Sequence, residues 1–390
     1  MLDRFAHVDF VYGTHHLRSV PELLVAAGRR NGGPRWARTA APHAASTCRS
    51  TRAQPGGVRR KAFVTVMEGC DMFCSFCIVP LTRGREVSRA AADIEHEVRA
   101  LVDRGIREVT LLGQTVNAYG RHAVRRGQTA ATDTMPFADL LARLDAIPGI
   151  ERIRYTSPHP LFFDEALVQA HGALEHLCPH VHLPLQSGSD RILDAMRRRY
   201  TRARYVELAA ALHAARPGLV LTTDLIVGFP GETEHDFEAT LSILDEADLV
   251  DSFSFKYSPR PGTRAAELAP TVSPEQAQER LVRLQTRQSE RTLAYHRSRV
   301  GEVTRVLIDG PSRLGDGQVS GRDPHLRVVN LAAEVDPAPV SGDLVAVRIT
   351  AATPHSLRAV PLGAEQDQAG PSEGAEARSG GAGGALAGMG

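Results

Sequence analysis

From residue 62 to about residue 260, short apolar runs alternate with longer amphipathic ones, and no other feature of this 390-residue chain limits its fold as strongly. AFVTVME (62–68) and EVTLLG (108–113) read as strands, and ADIEHEVRALVDRG between them has helical spacing closed by Gly105. IRYTS, VHLPLQ, LTTDLIVGFP and VDSFSFKYS continue the strands, while DEALVQAHGAL, TRARYVELAAALHAAR and TEHDFEATLSILDEA continue the helices. Strands separated by helices run parallel and need helices over their faces. About six such units predict an α/β fold, an open or partial (β/α)6 barrel with its chemistry in the loops that follow the strands.

The flanking regions read differently. EVTRVLID, GQVSGR, LRVVNL and DLVAVRIT, between Gly301 and about Ala351, are separated by Gly, Asp, Asn and Pro turns, which predicts a small antiparallel all-β barrel. A long charged helix, SPEQAQERLVRLQTRQSERTLAYHRSRVG, leads into it, and RHAVRRGQTAATDT after Gly120 reads as a polar surface insertion. The last 28 residues, from Gly363, contain nine glycines and are expected to be a disordered tail. Residues 29–60 have linker composition. The first 61 residues carry eleven Lys or Arg against three Asp or Glu, a surplus of eight that suits either a phosphate backbone or a solvated linker. The expected units are therefore 1–28, 29–60, a core at 61–285, a connecting helix with the small barrel at 286–352, and the tail at 363–390.

No run of 18 uncharged apolar residues and no secretory leader pattern occurs, so a cytoplasmic protein away from membranes is expected; a monomer is the expected state. The five cysteines are an odd number, and Cys70, Cys74 and Cys77 lie within eight positions, a grouping that reads as metal binding more readily than as disulfides. Three thiolates in a Cys-x3-Cys-x2-Cys loop can each hold one iron of a [4Fe–4S] cubane and leave the fourth iron open to a ligand. Zinc, with His159, His180 or His182 as fourth ligand, and inert buried thiols are the alternatives. Cys178 lies about a hundred residues from the loop.

MEGCDMFCSFCIVPLTRGREVSR, with an aromatic residue just before the last cysteine, resembles the signature loop of radical S-adenosylmethionine enzymes. LLGQTVNAYG, YTSPHP, HLPLQSGSDRILDAMRRRYTRARY, TTDLIVGFPGETEHDFEATL and FKYSPRPGTRAA extend the resemblance. Together they are similar to the tRNA methylthiotransferases that convert N6-isopentenyladenosine next to the anticodon into its 2-methylthio form. Arg85 departs from the acidic residue usual at that place in this branch.

The resemblance implies one [4Fe–4S] cluster on Cys70, Cys74 and Cys77, S-adenosylmethionine as cofactor, and a TIM-like core followed by an OB-like TRAM domain. It implies a tRNA anticodon stem-loop as partner and a flavodoxin- or ferredoxin-like electron donor. Gly113, Gln114, Asn117, His159, Gln186, Ser187, Asp224, Gly228, Gly231 and Glu232 fall at strand ends and are expected near the cofactor. Arg83, Arg89 and Arg198 are expected on RNA phosphate. Thr233, three residues before Asp236, suggests a capped helix start.

Family members carry an N-terminal domain with three further cysteines and a second [4Fe–4S] cluster. Residues 1–28 resemble only the end of that domain, and Cys48 matches none of its cysteine positions. The second cluster is therefore expected to be missing here and methylthiolation to be impaired. Other readings are a non-catalytic RNA-binding protein, or a methylthiotransferase acting on threonylcarbamoyl-adenosine tRNA or on a ribosomal protein.

Overall fold

The computed structural model describes residues 60–362 apart from 128, 129, 314, 316 and 332–338. The expectations for residues 1–59, Cys48 among them, and for the tail from Gly363 lie outside the described residues.

Six parallel strands form the core in two groups of three. β1 (Lys61–Thr65), β4 (Glu108–Leu112) and β5 (Arg152–Tyr155) pair in the order β1-β4-β5, and β6 (His180–His182), β7 (Val220–Val227) and β8 (Leu249–Lys256) in the order β6-β7-β8. A parallel bridge between Ile153 and Leu177, with Ile153 N donating to His176 O at 2.7 Å, joins the two groups into one curved sheet. Two short strands, β2 (Met67–Glu68) and β3 (Val87–Ser88), pair antiparallel just after β1.

Helices cover the outer face. Short α1 (Val79–Thr82) follows the cysteines, and α2 (Ala91–Asp103) buries Ile94, Val98, Leu101 and Val102, one stripe at helical spacing. α3 (Arg121–Arg125) and α4 (Phe137–Asp145) precede β5, and α5 (Glu165–Ala173) precedes β6. Next come α6 (Asp190–Ala195), α7 (Arg202–Ala215) and α8 (Glu234–Glu246). α8 opens with the expected capping box between Thr233 and Asp236. α9 (Pro274–Ser298) is one unbroken helix, so the boundary expected at residue 285 does not exist as a structural break. Its buried face is mostly polar because it meets backbone: Gln288 Nε2 donates to Leu249 O at 3.2 Å and Thr292 Oγ1 to Val250 O at 2.7 Å, on the outer strand β8.

The remaining strands, β9 (Val303–Pro311), β10 (Val319–Arg322), β11 (Val328–Leu331), β12 (Leu344–Ala352) and β13 (Leu357–Pro361), close into a barrel in the order β10-β11-β13-β12-β9. Val306, Ile308, Val329, Leu331, Val347, Ile349, Leu357 and Ala359 fill it. Closure needs β13, so the unit extends past the expected end at residue 352, and β11 pairs β13 in parallel, so the barrel is not wholly antiparallel.

The two barrels meet through buried arginines on the concave side of β5. Arg152 donates to Arg322 O at 2.9 Å and Arg305 O at 2.6 Å, and Arg154 donates to Pro324 O at 2.9 Å and Asp323 O at 2.8 Å. Glu108, itself buried, lies 3.5 Å from Arg152 and 3.4 Å from Arg154. Removing one partner of such a network strands a buried charge and leaves carbonyls unpaired. Arg154→Met is therefore expected to lower unfolding free energy by about 3 kcal/mol in urea titration, and a loss under about 1 kcal/mol would show that the contact is dispensable.

Candidate iron-sulfur and cofactor site

The cysteine loop leaves the end of the β1 region at the C-terminal mouth of the sheet. Its ends are tied by the β2–β3 ladder and by Cys70 N donating to Gly84 O at 3.1 Å. Gly69 sits at φ +73°, and a Cβ there would lie 2.1 Å from Arg85 O, so only glycine lets the two arms come this close. Ser75 anchors the middle: its N–H donates to Met196 O at 3.0 Å and its hydroxyl to Ala195 O at 2.7 Å.

Cys70 and Cys74 are buried and Cys77 is half-buried, and all three are free thiols. Burial pushes the Cys70 and Cys77 thiols up from their ordinary range. Cys70 Sγ lies 3.1 Å from Thr115 Oγ1 on the loop after β4. Cys178 pairs its N–H with Ile153 O at 3.0 Å, in the first half of β5 and away from this mouth.

Behind the loop lies a compact charged cluster that the sequence reading missed. Asp71 and Glu86 are buried; Arg85 Nε donates to Asp71 Oδ1 at 2.5 Å, and Glu86 Oε2 lies 2.6 Å from His122 Nδ1. Arg126 also pairs with Asp71 and donates to Glu86 O. The segment after Gly120 is mostly exposed, as expected of a polar surface insertion, but His122 and Arg126 fold inward onto the acids beside the first cysteine. Arg85, which departs from the family pattern, supplies one of those cations and also lies over the Phe73 ring at 5.2 Å.

The expected cofactor residues divide. Gln114 and His159 each offer a buried polar atom with no partner, Gln114 Oε1 and His159 Nε2. His159 Nδ1 accepts from Leu161 N at 3.2 Å, which puts the ring proton on Nε2. Burial, aided by Arg198 and Arg199, holds this histidine well below its ordinary range, so Nε2 is a neutral donor packed by Phe162 and Tyr200. An orphan acceptor and an orphan donor at the mouth suit the amino and carboxylate groups of an amino-acid cofactor. Asp224 faces the concave side of the sheet, 3.2 Å from His182 Nε2, with Phe253 5.8 Å from that ring. Gln186, at φ +82°, spends its backbone bridging to β7 through Asp224 O at 2.8 Å and Ile226 N at 2.9 Å.

Other positions have structural work instead. Asn117 exchanges hydrogen bonds with the His159 backbone at 3.0 and 2.8 Å, which staples two mouth loops and commits its amide. Ser187 is fully buried against Thr240 of α8 at 3.4 Å. Gly113 makes room for the Met67 side chain, which a Cβ would approach to 2.7 Å. Glu232 is buried, its Oε2 accepting from Gly228 N at 2.7 Å and from Arg280 Nη1 at 2.8 Å while its Oε1, like Gln114 Oε1, has no partner; burial raises its carboxyl against the pull of that amide and of Arg280. Gly228 and Gly231 adopt φ +73° and +88°, and a Cβ on Gly228 would press Ala277 of α9 at 2.8 Å. These residues shape the loop by tying it to α9.

Of the arginines expected on RNA, Arg83 is exposed, but Arg89 and Arg198 are not. Arg89 is buried, donating to Thr65 O at 2.7 Å and pairing with Glu97 at 2.7 Å. Arg198 is buried and donates to Pro184 O at 2.8 Å. Neither can reach phosphate, which corrects that expectation. Thr115 and His122 were missed because neither stands in a spacing that marks a ligand.

An open parallel half-barrel with a three-thiol loop at its mouth defines the class of radical S-adenosylmethionine enzymes, and the Radical SAM superfamily model matches residues 64–244. The TRAM domain model matches residues 297–362. A tRNA-2-methylthio-N(6)-dimethylallyladenosine synthase of Acidithiobacillus ferrooxidans is 46% identical over 91% of this chain and 76% of its own length. Synthases of the same name from Geotalea uraniireducens and Nitrosomonas europaea are 46% and 44% identical, each over 92% of this chain and 78% of their own length. The chain therefore belongs to the tRNA-2-methylthio-N(6)-dimethylallyladenosine synthase family. A solved structure, SuiB of Streptococcus suis, is 14% identical over 60% of this chain and 48% of its own, with a TM-score of 0.42.

Two outcomes follow from the geometry. Gly69→Ala should cut iron bound per chain at least about threefold after anaerobic reconstitution, because the loop must open to admit the methyl group; unchanged iron would mean the pinch is unimportant. His159→Ala should weaken S-adenosylmethionine binding about tenfold in calorimetry, the worth of one hydrogen bond to a charged group, and unchanged affinity would remove Nε2 from the cofactor site.

Proposed function

We propose that this chain cleaves S-adenosylmethionine at a [4Fe–4S] cluster held by Cys70, Cys74 and Cys77, and that its substrate is N6-isopentenyladenosine next to the anticodon of tRNA, modified at C2 with a methylthio group. The observation that supports this most is the cysteine loop pinned at Gly69 and Ser75, in a chain 46% identical to named synthases. When bound, the cluster and cofactor supply the electron and the carbon radical that can break a strong aromatic C–H bond. The protein's part is to hold three thiolates, offer Gln114 Oε1 and His159 Nε2 to the amino-acid end, and shield the mouth from water.

Residues 61–298 form the radical core with its covering helix, and residues 299–362 the module that grips RNA by charge and shape, with Arg83 at the mouth available to phosphate. A flavodoxin- or ferredoxin-like protein donates the electron to a monomer in the cytoplasm. Among the described residues, no helix is long and apolar enough to cross a membrane.

Anaerobic reconstitution should give about four iron and four sulfide per chain. With dithionite and S-adenosylmethionine the product should release 5′-deoxyadenosine, and tRNA bearing isopentenyladenosine should gain a methylthio group. Iron near zero would leave a non-catalytic RNA-binding protein, and about eight would reveal a second cluster.

A further inference from the structure

Arg197 and Arg199 both lie in the left-handed region, at φ 58° and 61°, a conformation that residues with a Cβ adopt only under constraint. Between them, Arg198 is turned inward and is 5% exposed. Its guanidinium is locked on every side: Nη2 donates to Pro184 O at 2.8 Å, Nε to Tyr200 Oη at 3.0 Å, and Nη1 to Cys74 Sγ at 3.5 Å. Tyr200 Oη is fixed in turn by Leu185 O at 2.7 Å. The contact with the cysteine is held from the other side as well, because Ser75 N donates to Met196 O, two residues before Arg198. Two strained residues thus serve to place one fixed positive charge against one sulfur of the loop.

Resting on the reading of Cys70, Cys74 and Cys77 as cluster ligands, we propose that Arg198 is a positioning residue that tunes the cluster through the Cys74 sulfur. Hydrogen bonds to cluster sulfurs and nearby charge set the reduction potential of iron–sulfur sites. One-electron reduction adds one negative charge to the cluster. A buried cation hydrogen-bonded to a ligand sulfur stabilises the reduced state more than the oxidised one and so raises the midpoint potential. The electron comes from the external donor, here dithionite, and no bond to Arg198 forms or breaks.

The test is an EPR-monitored redox titration of the full chain, anaerobically reconstituted, with iron and sulfide counted in parallel. Arg198→Met should keep the iron and sulfide of the parent while its midpoint moves to more negative potential, and Arg198→Lys, which keeps the charge but not the planar fork, should fall between. An unmoved midpoint in Arg198→Met with a full cluster overturns the proposal. Should Arg198→Met fail to fold or to hold iron, the parent chain labelled with guanidino-15N arginine decides: pulsed EPR of its reduced cluster should show a 15N coupling, and none would overturn the assignment. A parent chain that binds no iron would instead defeat the cluster reading itself.

Discussion

Six parallel strands are too few to close on themselves, and most of this architecture answers that constraint. An open sheet leaves outer strands with unpaired backbone and a concave face without a full layer of facing side chains. α9 meets the first need by offering polar side chains, Gln288 and Thr292, to the carbonyls of β8. The second is met in two ways along the strands. Near their starts the concave face carries Arg152, Arg154 and Glu108, which are sealed by the small barrel. Further along it stays open, with His182 and Asp224 paired and Phe253 and Phe255 exposed at 64% and 52%. Exposed aromatic side chains beside a polar pair make that open end an amphipathic surface.

The cysteine loop depends on close approach and on charge. Its arms meet because Gly69 has no side chain, and its first cysteine is followed by a buried aspartate that would destabilise the loop without cations. Arg85 and Arg126 supply them, one from the loop's own return and one from the helix-forming segment after Gly120. The mouth is therefore assembled from segments far apart in sequence, each held by a few directional contacts.

Much of this was legible in the sequence. Period-two and period-3.6 patterns carried the six units, and the Thr233–Asp236 spacing carried the start of α8, because local geometry dictates both. The apolar run that precedes the cysteines placed their loop at the mouth of the sheet. What could not be read was the direction of side chains whose partners lie far along the chain. Arg198 sits in an arginine-rich run that reads as surface, yet left-handed turns on both sides aim it inward. Asn117 and Ser187 stand in motif-like stretches, but their partners, the His159 backbone and Thr240, lie 42 and 53 residues away. The end of the small barrel was misjudged because a short closing strand such as LRAVP has no strong alternation of its own.

The arginines of β5 make the two barrels inseparable. Arg152 and Arg154 complete their hydrogen bonding only on carbonyls of the C-terminal barrel, and Glu108 lies buried beneath them. Cutting the chain at the end of α9 would not yield a smaller working catalyst, because it would bare two guanidinium groups and unseat the acid they balance. In evolutionary terms the C-terminal barrel is not a cartridge that can be swapped or shed, and any lineage that loses it must also rewrite the inner face of the radical core.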